Sequence, residues 1–268
     1  MKSFLRKLKS LAIGLMYIAV NFTVALLVEI VFYIWLIAGL KQSLSEAANK
    51  ALDVTYFLSA ISTIFTIAVF LLIGKIRKKP LHSVLKKEPA LPVIHIMAAC
   101  LAIGLRFLVM VYCAVSFKVP ILRDSIVAAS EMSPQVETVG QQLVALFVIV
   151  VLGPYFEEIL FRGLIMGGLL ESFRPWSAIF IQALLFGAAH MSLFQSTFAF
   201  VIGIFLGAVY YRTRNLKTVI LMHGVFNLSA AIPQIGFSVK SMVLFGTAGI
   251  VLCVCSSICI FSFAKRKD

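Results

Sequence analysis

The sequence predicts an all-α fold, a polytopic membrane helical bundle of about eight transmembrane helices with both termini in the cytoplasm. Three observations carry this prediction: an apolar composition, apolar runs of membrane-spanning length, and an uneven distribution of Lys and Arg between the connections. Of the 268 residues, 61% are apolar and 13% are charged, whereas soluble globular domains are about 45–50% apolar and about 25% charged. This composition excludes a soluble enzyme and a disordered chain.

The predicted helices follow from the apolar runs, because about 20 apolar residues cross the hydrocarbon core as a helix. The spans are expected at residues 11–40, 54–74, 91–117, 139–171, 176–191, 197–211, 217–232 and 241–263. The first run is far longer than the apolar region of a signal peptide, so we expect a retained first helix. The polar stretches at 75–90 and 118–138 are predicted to be loops.

The basic residues set the predicted orientation. Seventeen Lys and Arg residues lie at the two termini and in alternate connections, against five in the intervening connections. The positive-inside rule places the richer side in the cytoplasm. This distribution also accounts for the net charge of +13. Because no extended polar domain is present to carry a basic face, we expect no nucleic-acid partner.

The five cysteines lie inside apolar runs and show no C-x-x-C spacing. We interpret them as small core residues and exclude a disulfide scaffold.

Ionisable side chains inside a span are expensive, so each is a candidate functional or structural group. Glu29 in the first span and Arg106 in the third span are predicted to lie at similar depth. We expect them to form a structural ion pair between the two helices.

A denser polar region begins after Pro154, where two adjacent carboxylates and an arginine lie in an apolar helix. Glu158 and Arg162 are four residues apart and share a face, so they are predicted to pair. Glu157 is turned about 100° away and has no partner on its own helix. An unpaired carboxylate in this setting suits a general base.

Two further helices offer partners for Glu157. Phe186 and His190 are spaced i,i+4 on one helix, and His223 and Asn227 have the same spacing on another. Each pair alone is explained by helix packing and interhelical hydrogen bonds. Their convergence with the Glu helix predicts one polar cavity that opens to the cytoplasm, with Phe186 lining it one turn from His190.

A carboxylate, two imidazoles and an amide suit hydrolysis of an amide bond. No serine lies in a G-x-S-x-G setting, so serine catalysis is not indicated. Glu157, His190 and His223 are candidate ligands for a divalent metal, zinc being the candidate ion, although H-E-x-x-H spacing is absent. Water activation by glutamate and histidine without a metal is equally compatible with the residues.

Three ordered motifs together resemble the CPBP family, which unites CAAX prenyl proteases of the Ras-converting type with Abi-type bacteriocin-processing and self-immunity proteins. The motifs are Glu157-Glu158-x-x-x-Arg162, Phe186-x-x-x-His190 and His223-x-x-x-Asn227. The resemblance covers about 140–232. It implies a catalytic core in 139–232, and the apolar runs predict three N-terminal spans in 1–138 and a final helix with a basic tail in 233–268, all in one membrane domain.

The resemblance also implies an intramembrane endopeptidase. By motif position, Glu157 is the general base that polarises water with His190, while His223 and Asn227 stabilise the oxyanion. The Glu158–Arg162 pair fixes the Glu helix. Family usage calls these proteins metalloproteases, and a metal-independent glutamate mechanism has also been argued for the eukaryotic-type members, so the metal stays open.

The implied substrate is a membrane-anchored or hydrophobic peptide. A bacterial plasma membrane is the expected location, and a monomer or weak homodimer the expected assembly. The alternatives are a non-catalytic regulator or bacteriocin-immunity protein that binds a peptide or a sensor partner, and a proton-coupled transporter that uses the same Glu and His residues as a relay.

Overall fold

The structure is a computed structural model that describes residues 2–78, 90–131, 134, 136–230 and 238–264. Within these ranges the regular elements are all helical, which confirms the all-α prediction. The helices are α1 (Lys2–Gly39), α2 (Leu44–Asp53), α3 (Thr55–Ile76), α4 (Pro92–Ser116), α5 (Pro120–Glu131), α6 (Val139–Leu170), α7 (Pro175–Ala188), α8 (Leu193–Thr213), α9 (Leu216–Ala230) and α10 (Val239–Phe263).

Six of these helices in the described chain are long and apolar enough to cross a membrane: α1, α3, α4, α6, α8 and α10. The apolar helices α7 and α9 have 14 and 15 residues and are shorter than a full span. Each predicted span coincides with one of these helices. Many large apolar side chains on the outer surface are exposed, as expected for a protein that faces lipid.

The stretch 118–138 is not simply a loop, because α5 occupies Pro120–Glu131. Proline is favoured in the first turn of a helix, and Ser125 anchors α5 to the start of α8. The Ser125 Oγ accepts a hydrogen bond of 3.2 Å from the backbone N–H of Phe194. Most of the second predicted loop, at 75–90, lies outside the described residues.

Helix α6 is interrupted by two π-helical segments, Val148–Leu152 and Ile159–Met166, which flank an α-helical turn at Gly153–Glu158. Pro154 lacks an N–H group, so it cannot donate to the carbonyl of Val150 four residues earlier. Short π-helical segments inside α-helices frequently mark functional sites. The two carboxylates of interest lie between them.

Close helix contacts at glycines assemble the bundle around α6. Helices α7 and α8 form a tight hairpin, in which an added Cβ on Gly203 would lie 3.1 Å from Ala183 Cα. Helices α4 and α10 meet at Gly104 and Gly249, whose added Cβ atoms would lie 3.0 and 2.9 Å from the other glycine's carbonyl oxygen. Helix α9 packs against α4, α6 and α8, while α1 packs against α3 and α6.

The expected ion pair between Glu29 and Arg106 is wrong. Glu29 is exposed and Arg106 is 9% exposed, and the two side chains make no ion pair. The reason lies in the helix arrangement: α1 packs against α3 and α6, whereas α4 packs against α9 and α10. Equal depth in two helices does not make them neighbours.

We expect Gly249→Ala to lower the free energy of unfolding by about 1–3 kcal/mol, the range for an overpacked core. The added Cβ would lie 2.9 Å from the backbone oxygen of Gly104, which cannot swing aside as a side chain can. The measurement is the unfolding midpoint of the purified protein in detergent. Gly246→Ala is the matched control, because its Cβ would meet only Val111 Cγ2 at 3.9 Å. Equal midpoints for the two variants would contradict the close packing of α4 and α10.

Candidate active site

The centre of the site is a buried ion pair on α6. Arg162 Nη1 donates a hydrogen bond of 2.8 Å to Glu158 Oε1, and both side chains are fully buried. The guanidinium also lies over the Phe186 ring at 4.5 Å from the ring centroid. The predicted i,i+4 pair is therefore confirmed in its geometry.

The same carboxylate oxygen holds His223 of α9. His223 Nδ1 lies 2.8 Å from Glu158 Oε1. A carboxylate that is paired with an arginine only accepts hydrogen bonds, so Nδ1 is the donor and carries the proton. In the neutral ring the Nε2 lone pair is then free, and Nε2 lies 3.8 Å from Glu157 Oε2. A carboxylate bonded to Nδ1 also sets ring orientation and tautomer, as in the Ser-His-Asp triad.

Glu157 has a different environment from Glu158, although the two residues are adjacent. Its side chain is 33% exposed. Its Oε2 atom is buried and has no hydrogen-bond partner in the described part of the chain. On the same helix, Gly153 adds no side chain beside the carboxylate; a Cβ there would lie 3.9 Å from Glu157 Oε1. Glu157 thus combines a partly exposed side chain with one buried carboxylate oxygen that no described group binds.

His190 follows the last turn of α7 and is half-buried. Its Nδ1 lies 2.8 Å from the backbone oxygen of Phe186, and a carbonyl can only accept, so Nδ1–H donates and Nε2 is an acceptor. The Phe186 ring contacts both imidazoles, with centroid distances of 4.9 Å to His190 and 5.8 Å to His223. No His190 ring nitrogen lies within 4 Å of a Glu157 carboxylate oxygen, so their predicted cooperation stays a prediction.

Asn227 is attached to the π-helical part of α6. Its Nδ2 donates a hydrogen bond of 2.8 Å to the backbone oxygen of Ile149. That oxygen is available because the Gly153 N–H donates to the oxygen of Val148 instead of the oxygen of Ile149. Gly224 permits this close approach, since an added Cβ would lie 2.8 Å from the Val150 oxygen. One N–H of the Asn227 amide is used in this bond, which leaves the second N–H for another acceptor.

The residues predicted from sequence therefore gather around the middle of α6. Sequence reasoning missed Gln182, which is fully buried and donates to backbone oxygens of Ile179 and Gly203. A signal was present, because Gln182, Phe186 and His190 follow one another at intervals of four residues and share a helix face.

The donors do not form a metal-binding group. In the described ranges, no three His, Cys, Asp or Glu side chains lie close enough together to hold a metal ion. His223 Nε2 and Glu157 Oε2 are near each other, but His190 does not complete a third ligand. We therefore derive no step through a metal.

An apolar helical bundle with Glu, His and Asn side chains gathered inside it defines an integral membrane protein with an intramembrane polar site. Residues 139–229 match the family described as type II CAAX prenyl endopeptidase Rce1-like. This match covers the helices that build the site and supports the CPBP resemblance found from the three motifs.

The chain is also similar to a protein of Bacillus subtilis (strain 168) named "Putative membrane peptidase YdiL". The identity is 32% over 96 residues, which make up 35% of this chain and 39% of that protein. The chain thus spans about two fifths of the length of the curated relative it matches. No solved structure matches the chain significantly.

We expect Arg162→Ala to lower the free energy of unfolding by about 3–5 kcal/mol, because Glu158 then stays buried without its ion partner. The measurement is unfolding in detergent. Arg123→Ala is the matched control: its pair with Asp124 is exposed and contributes about 0–1 kcal/mol. A second variant, Glu158→Leu/Arg162→Leu, removes both charges and is expected to recover much of the loss. Equal stability of Arg162→Ala and Arg123→Ala would contradict the assignment.

Proposed function

We propose that this protein is an intramembrane endopeptidase that hydrolyses a peptide bond in a membrane-associated or hydrophobic peptide. The observation that carries the proposal is the contrast between the two adjacent carboxylates. Glu158 is buried and holds Arg162 and His223, whereas Glu157 is partly exposed and its Oε2 atom has no hydrogen-bond partner in the described chain, lying 3.8 Å from the Nε2 atom of His223. The matches to an endopeptidase family and to a protein named as a membrane peptidase support the same activity.

In the proposed reaction Glu157 is the general base. A water molecule donates one hydrogen bond to the Glu157 carboxylate and the other to His190 Nε2, the free acceptor of that ring. As the water oxygen bonds to the carbonyl carbon of the substrate, its proton passes to Glu157. The carbonyl oxygen becomes an oxyanion. Glu157 then returns the proton to the leaving nitrogen as the carbon–nitrogen bond breaks.

His223 and Asn227 are the proposed donors to the oxyanion. Asn227 contributes the amide N–H that Ile149 does not use. His223, when it also carries a proton at Nε2, donates from that atom while Nδ1 stays bonded to Glu158. Donors that are fixed before the reaction stabilise developing charge most effectively, and both side chains are fixed by bonds to α6.

We propose an arrangement of eight membrane-embedded helices, with α7 and α9 as the two short ones. The alternating basic connections support cytoplasmic termini and a site that opens to the cytoplasm of a bacterial cell. The bacterial relative supports the same location. A monomer contains all the proposed catalytic groups.

The test is cleavage of a panel of membrane-anchored peptides by the purified protein. We expect Glu157→Gln to lower kcat by about 100- to 10,000-fold, the usual contribution of general acid–base catalysis. His190→Ala is expected to be similarly impaired. Glu29→Gln is the matched control, because Glu29 is an exposed carboxylate on α1 outside the site.

Wild-type rates in Glu157→Gln would contradict the proposed mechanism. If the folded wild type cleaves nothing while both variants retain biological activity in the native cell, the protein is a binding regulator or an immunity protein instead.

Removal of metal gives a separate prediction. Because the described donors do not converge as three ligands, we expect cleavage to persist in the presence of a strong chelator. The measurement is the initial rate with and without chelator, together with the metal content of the purified protein. Loss of activity that is restored by added zinc would show that water is activated on a metal.

A further inference from the structure

Gln182 shares an acceptor with the buried arginine of the site. Its Nε2 donates to the Gly203 oxygen at 2.8 Å and to the Ile179 oxygen at 3.0 Å. Arg162 Nη2 lies 3.4 Å from the same Gly203 oxygen. An amide from α7 and a guanidinium from α6 therefore meet at one carbonyl of α8.

This shared carbonyl adds to the support of the Arg162 guanidinium, whose Nε atom has no hydrogen-bond partner in the described chain. Nη1 is held by Glu158, Nη2 faces Gly203, and the flat face lies on Phe186. Gln182 makes the shorter bond to Gly203, at 2.8 Å against 3.4 Å for Arg162, and the short bond of Arg162 is the one of 2.8 Å to Glu158. Without the amide, the Gly203 oxygen would be free to draw Arg162 away from Glu158.

Gln182 is poorly explained as a packing residue. Its Oε1 atom is buried without a hydrogen-bond partner in the described chain, and a buried acceptor without a partner is unfavourable. An apolar side chain of similar size would avoid this loss. The feature of the amide that remains to explain its presence is its donation to Gly203.

Helix α8 provides a slot for the amide. Gly207 lies beside it, and a Cβ added at Gly207 would lie 2.5 Å from Gln182 Nε2. The nearest atom is the end of a flexible side chain, so an added methyl group would move the amide and leave the helix in place.

We propose that Gln182 is a positioning residue for the reaction. It acts through Gly203, Arg162 and Glu158 to hold His223 in the orientation that serves the oxyanion. The inference rests on the proposed function, and it concerns a residue that lies outside the three motifs.

The first test is Gln182→Leu in the peptide cleavage assay and in thermal unfolding. We expect kcat to fall about 10- to 100-fold, the scale of a small misplacement of a catalytic group. KM is expected to stay unchanged. The unfolding midpoint is expected to stay unchanged or to rise. Gln195→Leu makes the same chemical change at an exposed position of α8 and serves as the matched control.

The second test uses Gly207→Ala, which leaves Gln182 in the sequence but displaces its amide. We expect the same fall in kcat as in Gln182→Leu. In the double variant the two losses are not expected to add, because the amide that the added methyl group displaces is already absent. Additive losses would show that the two residues act separately and would overturn the proposal.

The third test is independent of cleavage. In protein with ¹⁵N-labelled histidine, the Nδ1 signal of His223 reports its bond to Glu158, and its assignment comes from a His223→Gln sample. We expect this signal to shift in Gln182→Leu and Gly207→Ala, and to stay in place in Gln195→Leu.

If Gln182 has only a structural role, its substitution would lower the unfolding midpoint. It would neither move the His223 signal nor lower kcat at an unchanged KM. That result would overturn the positioning role. If the wild type cleaves no peptide but the signal shifts as expected, the proposed protease function fails while the coupling of Gln182 to His223 stands.

Discussion

The arrangement of the site depends on one carboxylate oxygen. Glu158 Oε1 accepts a bond of 2.8 Å from Arg162 and another of 2.8 Å from His223, so it ties two turns of α6 to α9. A buried carboxylate is tolerable only with such partners. This requirement explains why an arginine lies fully inside an apolar bundle. Glu158 therefore has a wider role than the sequence suggested, because its carboxylate binds His223 as well as Arg162.

The second constraint is the irregular backbone of α6. The π-helical turn and Pro154 leave carbonyls of Ile149 and Val150 without their ordinary helical donors. Inside a membrane each such group needs another partner or a protected position. Asn227 binds the Ile149 oxygen, and Gly224 lets α9 lie against the Val150 oxygen. The same irregularity that weakens α6 thus brings the Asn227 amide to the site.

Much of this organisation was predictable from local patterns. Apolar runs located the eight apolar helices, and i,i+4 spacing predicted the Glu158–Arg162 pair. Contacts between helices were harder, because depth along an axis says nothing about which helices are neighbours; Glu29 and Arg106 therefore do not pair. The bond between His223 and Glu158, the π-helical turns and the place of Gln182 depend on three-dimensional packing. For Gln182, the four-residue interval to Phe186 was a usable signal in the sequence. The sequence could not show that Gln182 and Arg162 share the carbonyl of Gly203.

Two adjacent glutamates on one helix receive opposite environments because a step of one residue turns the side chain by about 100°. One direction points into the bundle, where Arg162 neutralises Glu158 and His223 donates a hydrogen bond to it. The other places Glu157 beside Gly153, where its side chain is 33% exposed and its Oε2 atom has no hydrogen-bond partner in the described chain. Neighbouring carboxylates whose environments differ in this way can take different roles in one reaction. In the proposed mechanism Glu158 fixes the geometry of the site and Glu157 exchanges the proton.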